Sequence, residues 1–205
     1  MTRLCSCTRK ILFLIMPLLL FGSGGCTRII DVKSAYDPEV RFTRYQTFAW
    51  YQTEVPRQPV GVGPDFNPLL DMRIKEAIAS ELVKEGITPA FSKPGLLVAY
   101  DIAVDPKLAP AAIGDDVGPG FAYGYSYWYG YRYHYNFSDI PDYKSIDKYS
   151  PGTLVIDLID ASTNELVWRG ASTANLNPTQ IEETRINVIV ANIMAQYPPV
   201  PDTAF

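Results

Sequence analysis

Apolar and polar positions divide the chain into one leader-like block and a series of short periodic segments. The block is Ile11 to Phe21, apolar throughout with Pro17 inside it. Ile29–Ala35 is short and rich in strand-favouring residues, so it reads as a first strand or a tether. Phe42–Tyr51 (FTRYQTFAWY) is dense in aromatic residues and Thr, which favour a strand. Pro56, Pro59, Gly61, Gly63 and Pro64 mark a connector. Asn67-Pro68 then supplies a helix N-cap and first position, and Leu70, Ile74, Ala77, Ile78 and Leu82 follow as one helical stripe. Gly86 is placed to end that helix. Leu96–Val104 alternates, with Leu96, Val98, Tyr100, Ile102 and Val104 on one side.

Gly152–Asp160 and Glu165–Ala174 read as a hairpin whose link offers Asn164 for a left-handed residue. Leu154, Ile156 and Leu158 are expected to share a face with Leu166 and Trp168. Asp157 is then expected beside Arg169 on the other face. Asn177-Pro178 repeats the helix-start signal, Glu182 and Glu183 suit the positive end of the helix dipole, and Ile186, Ile189, Val190, Ile193 and Tyr197 form a second stripe. The predicted order is β-α-β-(long Tyr/Gly insert)-β-β-α. The fold class is α+β, a mostly antiparallel sheet of about four strands with both amphipathic helices on one face. Trp50 and Trp168 are candidate structural anchors, with Asp157 and Arg169 as a structural pair. The face away from the helices carries Leu97, Ala99, Ala103, Val155, Ile159, Val167 and Ala171. Either it is half-apolar surface, or the insert, a second protomer or a partner covers it.

The insert, residues 105–150, lacks a helical period. Within it, Phe121 to Phe137 puts an aromatic residue at every odd position: Phe121, Tyr123, Tyr125, Tyr127, Tyr129, Tyr131, Tyr133, Tyr135 and Phe137. Trp128 lies among the even ones. In one extended strand these odd positions would form a single aromatic stripe. Three readings stand side by side: a Gly/Tyr low-complexity loop, a binding strip for an envelope protein or a sugar, and contact with lipid headgroups. The strip comprises Tyr123, Tyr125, Tyr127, Trp128, Tyr129, Tyr131, Tyr133 and Tyr135.

The address precedes the fold. Arg3, Arg9 and Lys10 stand before the apolar block, and Gly22, Ser23, Gly24, Gly25 and Cys26 follow it. A basic start, a short apolar run and small residues form an export signal. A spanning helix needs about 20 apolar residues, more than this block provides. A Cys directly after the small residues is the pattern of a bacterial lipoprotein signal, in which the thiol takes a diacylglycerol and becomes the new N-terminus. Ser23 departs from the Leu usual at its position. Cys26 is therefore the candidate lipid-attachment site and the membrane contact. Thr27, where Asp would favour the inner membrane, favours the outer membrane facing the periplasm by analogy. The organisation read from this is a signal over 1–25, a tether or first strand over 26–41, one α+β domain over 42–198 and a tail over 199–205.

Composition removes several function classes. The net charge of −4 falls to −7 over 180 residues once Arg3, Arg9 and Lys10 leave with the signal. Nothing neutralises phosphates on that scale, so nucleic acid is excluded as a partner. Loss of Cys5 and Cys7 leaves only the lipidated Cys26, so neither a disulfide nor thiol chemistry is expected. His134 is the sole His. No nucleophile elbow, phosphate-cradling glycine motif or metal-ligand spacing is present, and neither a metal nor another cofactor is predicted. Asp101, Asp157 and Asp160 remain as candidates for a carboxylate-dependent hydrolase acting on envelope glycans. Against that stands a non-enzymatic accessory or interaction domain, the leading expectation.

Tyr36–Trp50 (YDPEVRFTRYQTFAW), Lys84–Ile87 (KEGI), Gly152–Ser172 (GTLVIDLIDASTNELVWRGAS) and the final helix running into Tyr197-Pro198 resemble one family. It is the bacterial lipoprotein family catalogued as domain of unknown function 4136. Its most specific block is matched by Asp157, Asp160, Thr163, Val167, Trp168, Arg169 and Gly170. Gly95 and Asn164 depart from the usual Asp and Gly. The resemblance implies an envelope lipoprotein with a Gly/Tyr/Trp-rich insert and no established activity.

Overall fold

The helical stripes become the floor of the core. A computed structural model describes residues 30–51, 68–103, 140–144, 148–174 and 182–199, together with the backbone of 121–126 and 131–136. Helix α1 spans Pro68–Lys84 and buries Leu70, Ile74, Ala77, Ile78 and Leu82, the five positions of the predicted stripe. It stops where Gly86 turns left-handed at φ +81°. There the Ile87 N–H reaches the Leu82 carbonyl at 2.9 Å and the Gly86 N–H reaches that of Val83 at 3.0 Å, which satisfies carbonyls the helix end would otherwise orphan. Helix α2 spans Glu183–Met194 and buries Ile186, Ile189, Val190, Ile193 and Met194. The expected start at Asn177-Pro178 lies outside the described residues, as does Asn67.

Both helices pack on one face of a mixed sheet, so α+β holds while the sheet is larger than expected. The strands are β1 (Val32–Tyr36), β2 (Thr47–Trp50), β3 (Thr88–Pro89), β4 (Leu96–Ile102), β5 (Phe121–Ser126), β6 (Tyr131–Asn136), β7 (Leu154–Asp160) and β8 (Glu165–Ser172). Their order is β3-β2-β4-β7-β8-β6-β5, with β1 also on β8. About four strands was too few, for three reasons. Val32–Tyr36 is a full partner of β8, Thr88–Pro89 adds a short strand beside β2, and the Tyr-rich insert contributes a hairpin. The antiparallel bias also weakens, because β2 runs parallel to both β3 and β4. Helix α1 is the crossover that parallel neighbours require. In FTRYQTFAWY, Phe42–Arg44 forms a single 3-10 turn, and only Thr47–Trp50 pairs.

The helix-side face of the sheet carries Phe48, Leu96, Val98, Tyr100, Ile102, Leu154, Ile156, Leu158 and Trp168 in one core with both helices. The register shifts between Leu158 and Ile159, so Leu158 faces Trp168 while Ile159 faces Leu166. Val167 is the extra residue of a bulge. It joins the helix-side core, and Leu166 goes to the opposite face. Leu166 and Val167 therefore exchange the sides that strict alternation predicts. The far face is covered: Ala99, Ile159 and Leu166 are buried with Ile140, and Tyr51, Leu97 and Tyr143 pack against them. Ile140 and Tyr143 belong to the insert, so the chain itself supplies this cover.

Asn164 closes the β7–β8 link at φ +57°, with its N–H on the Asp160 carbonyl at 2.9 Å. Asn and Gly tolerate this conformation, whereas a Cβ-bearing apolar residue meets about 1–2 kcal/mol of strain. Asn164→Ala is expected to lower the unfolding free energy by about 1 kcal/mol, and Asn164→Gly to leave it within a few tenths. Urea titration of the two variants checks this.

Candidate functional site

Two charged clusters lie one on each face of the β7–β8 hairpin: one ties part of the insert to the sheet and the other closes the hairpin loop. On the far face, Asp157 and Arg169 are cross-strand partners, as expected. Arg169 donates from Nε to Asp157 Oδ1 and from Nη2 to Oδ2, both at 2.6 Å. The two side chains are each only 3% exposed. Nη1 donates to the Lys144 carbonyl at 2.8 Å, and the guanidinium lies 4.9 Å from the Tyr143 ring centroid. One planar cation thus joins the sheet to the insert through a bidentate pair, a backbone carbonyl and a ring face. Burial raises the pKa of the neighbouring Tyr149, with Arg169 opposing the shift and Asp157 adding to it.

On the helix side, Asp160 organises the hairpin loop. Its Oδ1 accepts from the Ser162 N–H at 2.7 Å, the Ser162 hydroxyl at 2.5 Å and the Thr163 N–H at 3.2 Å. Its Oδ2 accepts from the Tyr45 hydroxyl at 2.8 Å and pairs with Arg44. Burial alone would raise the Asp160 pKa. The bonds from Ser162, Tyr45 and Thr163 outweigh it, and the net shift is below the ordinary 3.8. Tyr45, desolvated and donating to that carboxylate, is pushed up to about 12.

A carboxyl whose pKa is depressed by folding contributes stability above its unfolded pKa and loses it as the pH falls through the folded value. The melting temperature is therefore expected to drop as the pH falls below about 4. Asp160→Asn should flatten part of that acid limb while lowering the melt at pH 7. Thermal scans from neutral to acid pH on both proteins read the difference.

Asp157 and Asp160 occupy opposite faces of the sheet, so they cannot flank one substrate. Asp101 shares the far face with Asp157, two residues along β4 from Ala99, the residue opposite Asp157. It is buried, and its Oδ1 accepts from the Ile102 N–H at 2.7 Å. Both oxygens of Asp157 and both of Asp160 are engaged by the fold itself.

The insert contributes β5 and β6, and their pairing decides how its aromatics are distributed. Phe121 pairs with Asn136, Tyr123 with His134 and Tyr125 with Arg132, while Ala122 pairs with Tyr135, Gly124 with Tyr133 and Ser126 with Tyr131. Residues directly opposite in an antiparallel pair share a face. One face therefore holds Phe121, Tyr123 and Tyr125 beside Asn136, His134 and Arg132. The other holds Tyr131, Tyr133 and Tyr135 beside Ala122, Gly124 and Ser126. This corrects the single aromatic stripe: the pairing is odd with even, so the odd positions split into two columns on opposite faces. Asn136 pairs with Glu165 and joins the hairpin to β8, so this part of the insert is a sheet element rather than a loop. Tyr127, Trp128 and Tyr129 lie outside the described residues, as does Cys26. Among the described residues no group of three or more His, Cys, Asp or Glu is placed to hold a metal ion, and no helix is long and apolar enough to cross a membrane.

The model of one family, a domain of unknown function (DUF4136), matches residues 32–199. The chain belongs to the DUF4136 family. A DUF4136 family protein from Bacteroides thetaiotaomicron is 16% identical with a TM-score of 0.50, the match covering 82% of this chain and 96% of that one. A PDZ domain protein from Parabacteroides distasonis is 20% identical with a TM-score of 0.46 over 83% of this chain, which spans only 36% of that protein's length. A PelC dodecamer from Paraburkholderia phytofirmans is 12% identical with a TM-score of 0.39, covering 82% and 95% of the two chains. No curated protein matches the sequence.

The block from Asp157 to Gly170 that carries the family resemblance has a physical reading in this structure. Asp157 and Arg169 form the buried pair, and Asp160 with the Thr163 N–H builds the loop. Val167 is the bulge residue and Trp168 fills the core. Gly170, next on the helix side after Trp168, leaves room for the indole. A Cβ there would stand 2.3 Å from Trp168 Cη2 and 2.6 Å from Ile193 Cγ2. Trp50 plays a lesser part: it is half-buried, edge-on to Phe48 at 6.0 Å, with Lys75 5.7 Å from its ring centroid. Sequence reasoning missed Arg44, Tyr45, Tyr143 and the Lys144 carbonyl. Each reaches its partner across at least 25 residues of chain, and no local spacing signals such a contact.

Proposed function

We propose that the protein is a bacterial cell-envelope lipoprotein, anchored through Cys26 at the outer membrane and facing the periplasm. In this reading it is a non-enzymatic interaction domain that binds a glycan through its Tyr-rich hairpin. The carrying observation is the hairpin register. It sets Tyr131, Tyr133 and Tyr135 in one column beside Ala122, Gly124 and Ser126, and flat aromatic area beside small residues suits stacking of sugar rings. The opposite face adds Arg132, His134 and Asn136, which can hydrogen-bond hydroxyls. The leader-like block ending at Cys26 supports the address, and membership of DUF4136 is compatible with it.

Mass spectrometry of the mature N-terminus tests the anchor. A diacylglyceryl-modified Cys26 is expected, and a free thiol there overturns it. For the hairpin, Tyr131, Tyr133 and Tyr135 are replaced together by Ser, and binding to isolated peptidoglycan and purified exopolysaccharide is measured by co-sedimentation. The parent protein is expected to bind one of these glycans and the triple variant to lose at least tenfold in affinity. Absence of binding by the parent, or equal binding by both, overturns the glycan reading. An envelope protein captured in place of glycan would replace it with the protein-partner reading.

A further inference from the structure

The strand that follows Cys26 is fixed to the body almost at once, and this limits how the domain can sit on a membrane. Ile30 already packs against the main core, and the Asp31 carbonyl accepts from the Thr173 N–H at 3.1 Å. Only four residue steps separate Cys26 from Ile30, and four steps span at most about 14 Å. A lipid on Cys26 therefore holds the body itself against the bilayer, and the end of the sheet nearest Ile30 faces it.

The pairing identifies that end. Val32 lies opposite Ser172, Ser172 opposite Leu154, and Leu154 opposite Ile102. Helix α1 starts at the same end. Asp71 accepts from the Tyr100 hydroxyl at 2.6 Å, near the Ile102 terminus of β4, while the helix finishes beside Gln46, whose carbonyl takes the Thr88 N–H. Two of the five exposed large apolar side chains among the described residues, Leu69 (49%) and Met72 (48%), stand in the first turns of α1. They lie one turn apart on the side away from the core, and helical side chains lean toward the N-terminus, which here is the lipid end. Charges there offset one another: Lys33, Arg73, Lys75 and Arg185 against Asp31, Asp71, Glu182 and Glu183.

We infer that Leu69 and Met72 form a membrane-contact point, inserted among the lipid headgroups as a second foothold beside the acyl chains of Cys26. The inference rests on the lipid-anchor reading above. A single attachment point with a short tether sets which end of the domain faces the bilayer but leaves its tilt open, and a second contact fixes that tilt. The glycan-binding hairpin is then presented at a fixed attitude to the bilayer.

The test uses the full-length protein, processed in cells and reconstituted into vesicles of phosphatidylethanolamine and phosphatidylglycerol. In the lipidated mature chain no other Cys is free, so Leu69→Cys, Met72→Cys and Val83→Cys each accept one environment-sensitive fluorophore. Val83 is equally exposed at 49% and lies about 21 Å further along the same helix. All three positions are half-exposed, so replacement spares the core. Labels at 69 and 72 are expected to shift to the blue on vesicles and to lose iodide quenching several-fold, while the label at 83 changes in neither. Equal behaviour at all three, with an acyl mass on Cys26, overturns the contact point and leaves the anchor standing. An unacylated Cys26 overturns the anchor and this inference together.

Discussion

Trp168→Ala is expected to lower the unfolding free energy by about 3–5 kcal/mol. The indole is fully buried at the point where β8 meets α2 and the chain's final turn. Tyr197 meets it edge-on at 5.6 Å, and Phe42 in turn meets Tyr197 edge-on at 5.6 Å. Its removal opens a cavity whose walls are a strand, a helix and an aromatic chain, none of which can collapse without moving the others. Guanidinium titration of parent and variant, with an unchanged slope, reads the loss. Gly170→Ala is expected to destabilise through the same ring, because the added methyl overlaps Trp168 Cη2 and Ile193 Cγ2. In the double variant Trp168→Phe with Gly170→Ala, the smaller ring makes room for the methyl. Its loss should fall well below the sum of the single losses, a coupling that a purely local glycine effect would not produce.

The second large effect concerns the buried ion pair. Arg169→Ala and Asp157→Ala are each expected to destabilise by about 3–5 kcal/mol, because either leaves an uncompensated group in a site closed to water. Replacing both together, Asp157→Leu with Arg169→Met, should recover most of that loss. A buried pair's attraction roughly offsets the desolvation of its members, so a packed apolar pair serves stability nearly as well. Their consequences differ at the insert. Arg169 also donates to the Lys144 carbonyl and stacks on Tyr143, contacts that Met cannot restore. Limited proteolysis is therefore expected to cut near residues 140–149 faster in the double variant than in the parent, even where the melting temperatures match. Equal cleavage would show that Ile140 and the packing of Tyr143 hold the insert without Arg169.

Much of the fold can be read along the chain. Every residue of both helical stripes, from Leu70 to Leu82 and from Ile186 to Tyr197, is buried, and Asn164 takes the left-handed turn. Asp157 meets Arg169 as expected, but through the bulge: the loop closes Asp160 on Glu165, and without the extra residue Val167 that register would set Asp157 opposite Trp168. The two largest departures, the Leu166/Val167 exchange and the split aromatic columns, have a common origin. Side chains on a strand repeat every two residues, so one extra residue or a change of pairing by one moves a side chain to the other face.

The sequence by itself determined the two helices, their buried faces and the β7–β8 hairpin. These depend on local geometry: 3.6 residues per helical turn, and the φ that Asn and Gly tolerate. Only the tertiary structure decided that β2 lies parallel to β4 and that the insert covers its own sheet. It alone set three of the hairpin's tyrosines on one face and two more on the other. Those outcomes depend on which strand edge each segment finds and in what register. That choice is made by hydrogen bonds and packing between residues distant along the chain, and no local pattern encodes it.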